Sequence, residues 1–163
     1  MIKIKIENEY SSLKTVILGI ANDIGEPPNI FDAYDPRSLY HAKNNSFPDE
    51  TDLIKNVEKF YNKLLKHNVE ILRPENIPNC NQIFTRDLGF VISNIFFISN
   101  IVPARQDEIQ GIENIIKNLD VGVIKLPKYM HIEGGDVVLH NGKLFIGTYL
   151  DANYSSLITA RTN

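Results

Sequence analysis

Cysteine is nearly absent from this sequence: Cys80 is the only one in 163 residues. A lone thiol excludes an intrachain disulfide framework and fits a reducing compartment, so a cytoplasmic location is expected. Long apolar runs are missing too. The most apolar stretch, residues 90–102, is shorter than a membrane span and is interrupted by Ser93, Asn94, Ser99 and Asn100. The opening Met1-Ile2-Lys3-Ile4-Lys5-Ile6-Glu7 alternates apolar and charged residues instead of forming the apolar core of a signal peptide, and reads as a strand. Positive charge is not in excess either. With a formal net charge of -3 and scattered lysines, the chain has no electrostatic footprint for nucleic acid or an anionic membrane.

What is present is a foldable α/β pattern. At 43% hydrophobic, 163 residues can bury one sizeable core, so a single domain spanning 1–163 is expected. Leu13 to Gly19 is a β-rich run, and residues 52–67 carry Leu53, Ile54, Val57, Phe60, Tyr61, Leu64 and Leu65 at helical spacing, with acids before them. Val69 to Leu72 predicts the next strand. Gly89 to Ile92 and Ile95 to Ile98 predict two strands around a Ser-Asn turn, Ala104 to Leu119 a helix, and Gly122 to Leu126 a closing strand. A hairpin then follows at Val137–Leu139 and Leu144–Ile146, turning at His140-Asn141-Gly142. The ββαβ order, in units of roughly fifty residues, points to a repeat architecture. The long loop at 21–50 is the irregularity; its segment from Ala21 to Asn45, rich in proline and asparagine, reads as a lid or rim over a site, or as a disordered surface insertion.

Two signatures carry the chemistry. In Phe84-Thr85-Arg86-Asp87-Leu88-Gly89, Asp87 stands at the entrance to a strongly apolar strand pair, where a lowered dielectric strengthens its pairing with a cation. A surface contact with Arg86, or a turn cap, is the plainer alternative. In His131-Ile132-Glu133-Gly134-Gly135-Asp136, two glycines allow a tight or positive-φ backbone that can bring the flanking acids toward one cavity. A plain turn is again the alternative. His131, Glu133 and Asp136 have the donors of a metal site, but three ligands so close need a fourth and no His/Cys cluster supplies it, so no metal is expected. His131 is expected to be packed or hydrogen-bonded at a strand start. Cys80 lacks an evident activating neighbour and reads as a structural thiol.

Taken in order, Asn81-Gln82-Ile83-Phe84-Thr85-Arg86-Asp87, Pro103-Ala104-Arg105 with Glu108, Glu133-Gly134-Gly135-Asp136 and Arg161-Thr162-Asn163 resemble the pentein superfamily of guanidino-group-modifying enzymes. That superfamily includes arginine deiminases, amidinotransferases and dimethylarginine hydrolases. The stretch from Glu9 to Gly19 is also similar to the family's first strand. The resemblance implies an α/β propeller of five ββαβ units around a central site, of which this sequence holds about two and a half. It implies that Phe84 lines the site against a guanidinium plane and that Asp87 pairs with its nitrogens through charge-assisted hydrogen bonds. Glu133 matches the acid that orients a catalytic histidine, and Asp136 a supporting carboxylate. Asn81, Arg105 and Arg161 match positions that hold a substrate α-carboxylate.

In that family a cysteine thiolate attacks the guanidinium carbon, an amine leaves after protonation by histidine, and water or an acceptor amine resolves the amidino-enzyme; no cofactor is required. Neither Cys80 nor His131 occupies the family's reactive positions. The resemblance therefore implies the N-terminal part of such an enzyme, inactive by itself, with a small arginine-like substrate and no nucleic-acid or membrane partner. A fragment of a longer enzyme is the favoured expectation over a natural truncation or a half-ring that self-associates through open strand edges. The alternative function is a non-catalytic binding module with the same fold.

Overall fold

The computed structural model describes residues 1–33 and 35–148. In chain order its elements are β1 (Ile2–Lys3), β2 (Thr15–Ile17), α1 (Pro36–Asn44), α2 (Glu50–Lys66), β3 (Glu70–Leu72), β4 (Gly89–Ile92), β5 (Ile95–Ile98), α3 (Glu113–Lys117), β6 (Leu119–Asp120), β7 (Gly122–Lys125), β8 (Val137–His140) and β9 (Lys143–Ile146). Stretches of 3-10 geometry at Thr85–Leu88, Pro103–Ile112 and Gly134–Asp136 connect them. No helix among the described residues is long and apolar enough to cross a membrane.

The expected ββαβ arrangement is complete between β4 and β7. β4 and β5 form an antiparallel hairpin with Phe90 opposite Phe97, their rings stacked at 5.1 Å, and β7 adds in parallel on the other edge of β5. A parallel strand needs a crossover, here supplied by residues 103–117. Upstream, β2 and β3 pair in parallel around α2, and downstream β8 and β9 form a hairpin. Asn141 and Gly142 both have positive φ, as the tight two-residue turn of that hairpin demands. β1 is only two residues long and pairs with β6, while Ile6 makes an isolated bridge to Ser93. The alternation at the start thus yields less strand than it predicts, although Ile2 and Ile4 do pack on the core.

Burial follows the apolar pattern with exceptions. Leu88, Phe96, Ile101, Ile112, Ile116 and Leu119 form the main cluster, uniting the hairpin with its crossover. Leu64 of α2 joins Leu18 and Val69 in a second, flanked by Val57 and Tyr61. Phe60 and Leu65, which the helical spacing includes in the apolar set, remain exposed. Phe90, Ile132 and Val137 make a third cluster, beneath the acid-rich turn.

Two segments differ from expectation. The loop from Ala21 to Asn45 contains the helix α1. Asp35 caps this helix, its Oδ1 accepting from the amides of Arg37 and Ser38, Pro36 follows at the first turn, and Asn45 ends it in the left-handed region. The expected helix from Ala104 to Leu119 is instead 3-10 over Pro103–Ile112 and α-helical only over Glu113–Lys117. That is long for 3-10 geometry, which eclipses side chains three apart. Here the eclipsed pair is Arg105 and Glu108, joined by buried hydrogen bonds.

Candidate functional site

The site is built where the crossover, the turn before β4 and the turn before β8 meet. Thr85–Leu88 winds into one 3-10 turn, its Asp87 amide donating to the Phe84 carbonyl at 3.0 Å, and Thr85 Oγ1 ties it to the Ile17 carbonyl at the end of β2. Gly134–Asp136 forms a similar turn, with the Asp136 amide donating to the Glu133 carbonyl. The glycines serve close approach, not positive φ. A Cβ on Gly134 would collide with the carbonyl oxygens of Arg86 and Gly89, and a Cβ on Gly135 with the Asp87 carboxylate. The two sequence signatures therefore touch through backbone, with only glycine thin enough at the contact.

At that contact lies a buried cluster of one base and three acids. Arg105, 6% exposed, donates from Nε and Nη2 to the two oxygens of Glu108 at 2.6 and 2.8 Å, and from Nη1 to Asp87 Oδ2 at 2.8 Å. Glu133, 2% exposed, places Oε2 at 3.8 Å from the same Nη1. The half-exposed Phe84 ring covers the guanidinium, its centroid 5.9 Å from Cζ, a cation–π distance. Burial by itself would lower the Arg105 pKa, but the bonds to Glu108, and then to Asp87, outweigh it and raise it, so the guanidinium stays charged. Burial pushes the Glu108 carboxyl up; Arg105 opposes this and the neighbouring Asp87 charge adds to it.

The predicted residues separate into groups. Phe84, Asp87, Arg105 and Glu133 come together as described. Asn81 is exposed and accepts from the Ile83 amide through its side chain, forming a local turn. Asp136 is half-buried at the far end of its turn, where its carbonyl accepts from the Gly147 amide. Arg161 lies outside the described residues. Arg105 differs most from expectation: its donors face protein carboxylates and it is buried, whereas an α-carboxylate anchor needs an open face. The alternative Arg86–Asp87 contact is also replaced, because Arg86 turns to the Val137 carbonyl at 2.8 Å and to Glu9 at 3.2 Å.

Glu108 is the residue whose part in the cluster the sequence leaves undefined. Its signal is the spacing Arg105-x-x-Glu108, which brings the pair together on one helical face. His131 lies in the irregular segment ahead of the Gly134–Asp136 turn and not at a strand start, which comes only at Val137; its Nδ1 is 3.1 Å from the Asn100 carbonyl. With Arg105 among them the acids do not make a metal cage, and no group of three or more potential metal ligands stands among the described residues. Burial, and then the Glu108 and Asp107 charges, push the Cys80 thiol up, which disfavours the thiolate. An open hollow of about 530 Å³ lies within the 21–50 loop itself, lined by Pro27, Pro28, Ile30, Phe31, Ala42 and Phe47 among others; none of the cluster acids lines it.

No family model matches the sequence. The uncharacterized protein YkgA of Bacillus subtilis (strain 168) is 31% identical over 117 residues, which is 68% of this chain and 41% of YkgA. Among solved structures, inosamine-phosphate amidinotransferase StrB1 from Streptomyces griseus superposes with a TM-score of 0.68 at 13% identity, covering 86% of this chain and 54% of that one. SxtG, an amidinotransferase of Microseira wollei in the saxitoxin biosynthetic pathway, gives 0.65 at 13% identity, with 95% and 58% covered. The N-terminal domain of ArgZ, an arginine dihydrolase from the ornithine-ammonia cycle in cyanobacteria, gives 0.60 at 13% identity, with 76% and 44% covered. The chain spans about half the length of these structures. Over the portion it covers, the fold of this chain is that of these amidinotransferase and arginine dihydrolase structures.

Proposed function

We propose that this chain forms the cation-recognising part of an enzyme that acts on a guanidino, arginine-like substrate by amidino transfer or hydrolysis through a cysteine-bound intermediate. The observation that carries the proposal is the buried meeting of Asp87 and Glu133 with the Phe84 ring over one positive charge. Asp87, partly accessible, accepts hydrogen bonds from the substrate guanidinium, and Phe84 packs on its plane. Glu133 orients a histidine and Asp136 supports that side of the site. Asn81 and Arg161 serve the substrate's anionic end, whereas Arg105 acts as the internal counter-ion of the acids. Within a propeller of five ββαβ units, β4 to β7 is one unit and β8–β9 opens the next.

The thiolate adds to the guanidinium carbon, the departing amine takes its proton from the histidine, and water or an acceptor amine then displaces the thiolate. Cys80 is not assigned that thiolate, because its surroundings hold the proton on sulfur. Residues 1–163 alone are accordingly proposed to be inactive. Their exposed apolar side chains on β7 and the β8–β9 hairpin, among them Val123, Val138 and Phe145, offer a surface for self-association.

The test is made on the full-length protein with L-arginine and an acceptor amine, following citrulline, ornithine and amidino transfer. Turnover that disappears in Asp87→Ala, together with arginine affinity, is the expected outcome. Unchanged affinity in Asp87→Ala refutes the site. Binding without turnover supports the non-catalytic module instead. Release of ornithine or citrulline by the 163-residue polypeptide refutes its proposed inactivity.

A further inference from the structure

Gln82 is 1% exposed, and both ends of its side-chain amide are engaged: Oε1 accepts from the Ile77 amide at 2.8 Å and Nε2 donates to the Glu75 carbonyl at 2.8 Å. Its own carbonyl accepts from the Ile20 amide, beyond the end of β2, at 3.2 Å. Gly111 of the crossover lies against the same side chain. A Cβ there would collide with Gln82 Nε2, and the Gly111 carbonyl accepts from the Glu75 amide at 2.8 Å. One buried residue thus joins three segments that are distant in the chain.

The 3-10 stretch of the crossover carries Arg105, Glu108 and Gly111 three residues apart, and all three are buried. At three residues per turn they stack in one line, whereas in an α-helix Gly111 would be turned about 120° away from Arg105. That line runs along residues 82–87. Gly111 meets Gln82, while Arg105 donates to the Phe84 carbonyl at 3.5 Å and to Asp87 Oδ2 at 2.8 Å. The segment is therefore fastened to the crossover at both ends, by Gln82 and by Asp87, and Phe84 lies between.

We infer that Gln82 is a positioning residue of the guanidino site: its amide, seated on Gly111, fixes where Phe84 and Asp87 stand against Arg105. The inference rests on the proposed function. Without the amide, the Ile77 N–H and the Glu75 carbonyl lose a buried partner, and the loop that leads into Phe84 must move to replace it. An alanine at 111 has the same result from the other side, because the amide cannot swing clear without giving up both bonds.

The experiment measures L-arginine binding to the full-length protein by calorimetry, and the carboxyl 13C resonance of Asp87 in the ligand-free protein, for wild type, Gln82→Met, Gly111→Ala and the double variant. Each single variant is expected to bind about tenfold more weakly and to move the Asp87 resonance. The double variant is expected to be no weaker than the weaker single, since both act through one amide and a methionine held by no bonds yields to the added methyl. Wild-type affinity with an unmoved Asp87 resonance in Gln82→Met means that the amide only holds the loop together, and overturns the inference while leaving the guanidino reading intact. Losses that add in the double variant overturn it too. Should Gln82→Met fail to fold, Gln82→Glu keeps the shape and at neutral pH removes the donor to Glu75, and wild-type affinity there overturns the inference. Should the wild type bind no guanidino compound, the functional proposal falls and the Asp87 resonance decides. Movement in Gln82→Met supports the positioning of Asp87 by Gln82, and no movement overturns it.

Discussion

Replacing Arg105 by methionine removes the cation from the middle of the acid cluster and leaves a side chain of similar length. Unit charges about 4 Å apart attract by ~4 kcal/mol at an effective dielectric near 20. Asp87, Glu108 and Glu133 all stand within that range of the guanidinium. The full sum is not lost, because the variant also escapes the cost of burying the arginine and its acids can bind protons. Breaking a buried pair from one side costs about 3–5 kcal/mol. With a urea m-value of ~2 kcal/mol/M, the unfolding midpoint at pH 7 should fall by about 1.5–2.5 M. The pH dependence has a definite sign. Without Arg105 the Glu108 carboxyl, already pushed up by burial, loses the charge that opposes the rise, so the loss is small near the unfolded carboxyl pKa of about 4.3 and grows as pH rises through its raised folded value. Urea titrations of wild type and Arg105→Met at pH 4.5 and 7 measure this. A midpoint shift below ~0.5 M at both values refutes the reasoning, since it means that water already solvates these charges.

Gly135→Ala should displace the Asp87 carboxylate and lower arginine affinity at least tenfold in the full-length protein, while Gly134→Ala, colliding with two backbone carbonyls, should destabilise by about 1–3 kcal/mol; equal effects on both readouts argue against the close contact of the two turns. Asp35→Ala removes the cap of α1 at a cost of about 1 kcal/mol, visible as faster hydrogen exchange at the Arg37 and Ser38 amides, and unchanged exchange refutes the capping role. Cys80 should react with iodoacetamide slowly at neutral pH and accelerate only above the ordinary thiol range, because burial and two acids keep the neutral thiol as the favoured form until pH passes the raised value. Rapid alkylation at pH 7 contradicts this.

Strand periodicity is the most legible part of the chain. Runs such as Gly89–Ile92 and Ile95–Ile98 each bury one phenylalanine, keep the rest part-buried and are bounded by a Ser-Asn turn, so pattern and tertiary demand agree. The crossover departs from its expected form because apolar spacing at Ile109, Ile112, Ile115 and Ile116 is compatible with both α and 3-10 geometry over so short a length. The buried Arg105–Glu108 pair fits either form, since residues three apart also meet on an α-helix, and nothing in the spacing selects the 3-10 geometry. Helix α1 is hidden for the opposite reason. It buries little apolar surface, so no periodicity marks it, and its signal is Asp35-Pro36 at one end and Asn45 at the other. For the site, the two signatures mark Phe84, Asp87 and Glu133, and their meeting around Arg105 follows. The partner of Arg105 does not, because a guanidinium that binds a ligand carboxylate and one that binds an internal carboxylate have the same sequence signature.

The glycine contact between the two turns has a consequence for how such a site can be altered. The carbonyls of Arg86 and Gly89 abut Gly134, and the Asp87 carboxylate abuts Gly135, so neither turn can be redrawn without the other. Segments far apart along the chain behave as one exchangeable piece. A graft that transplants the Asp87 turn into another scaffold must carry the paired glycines with it, and randomisation of either turn alone will return mostly molecules in which the acids no longer face one another.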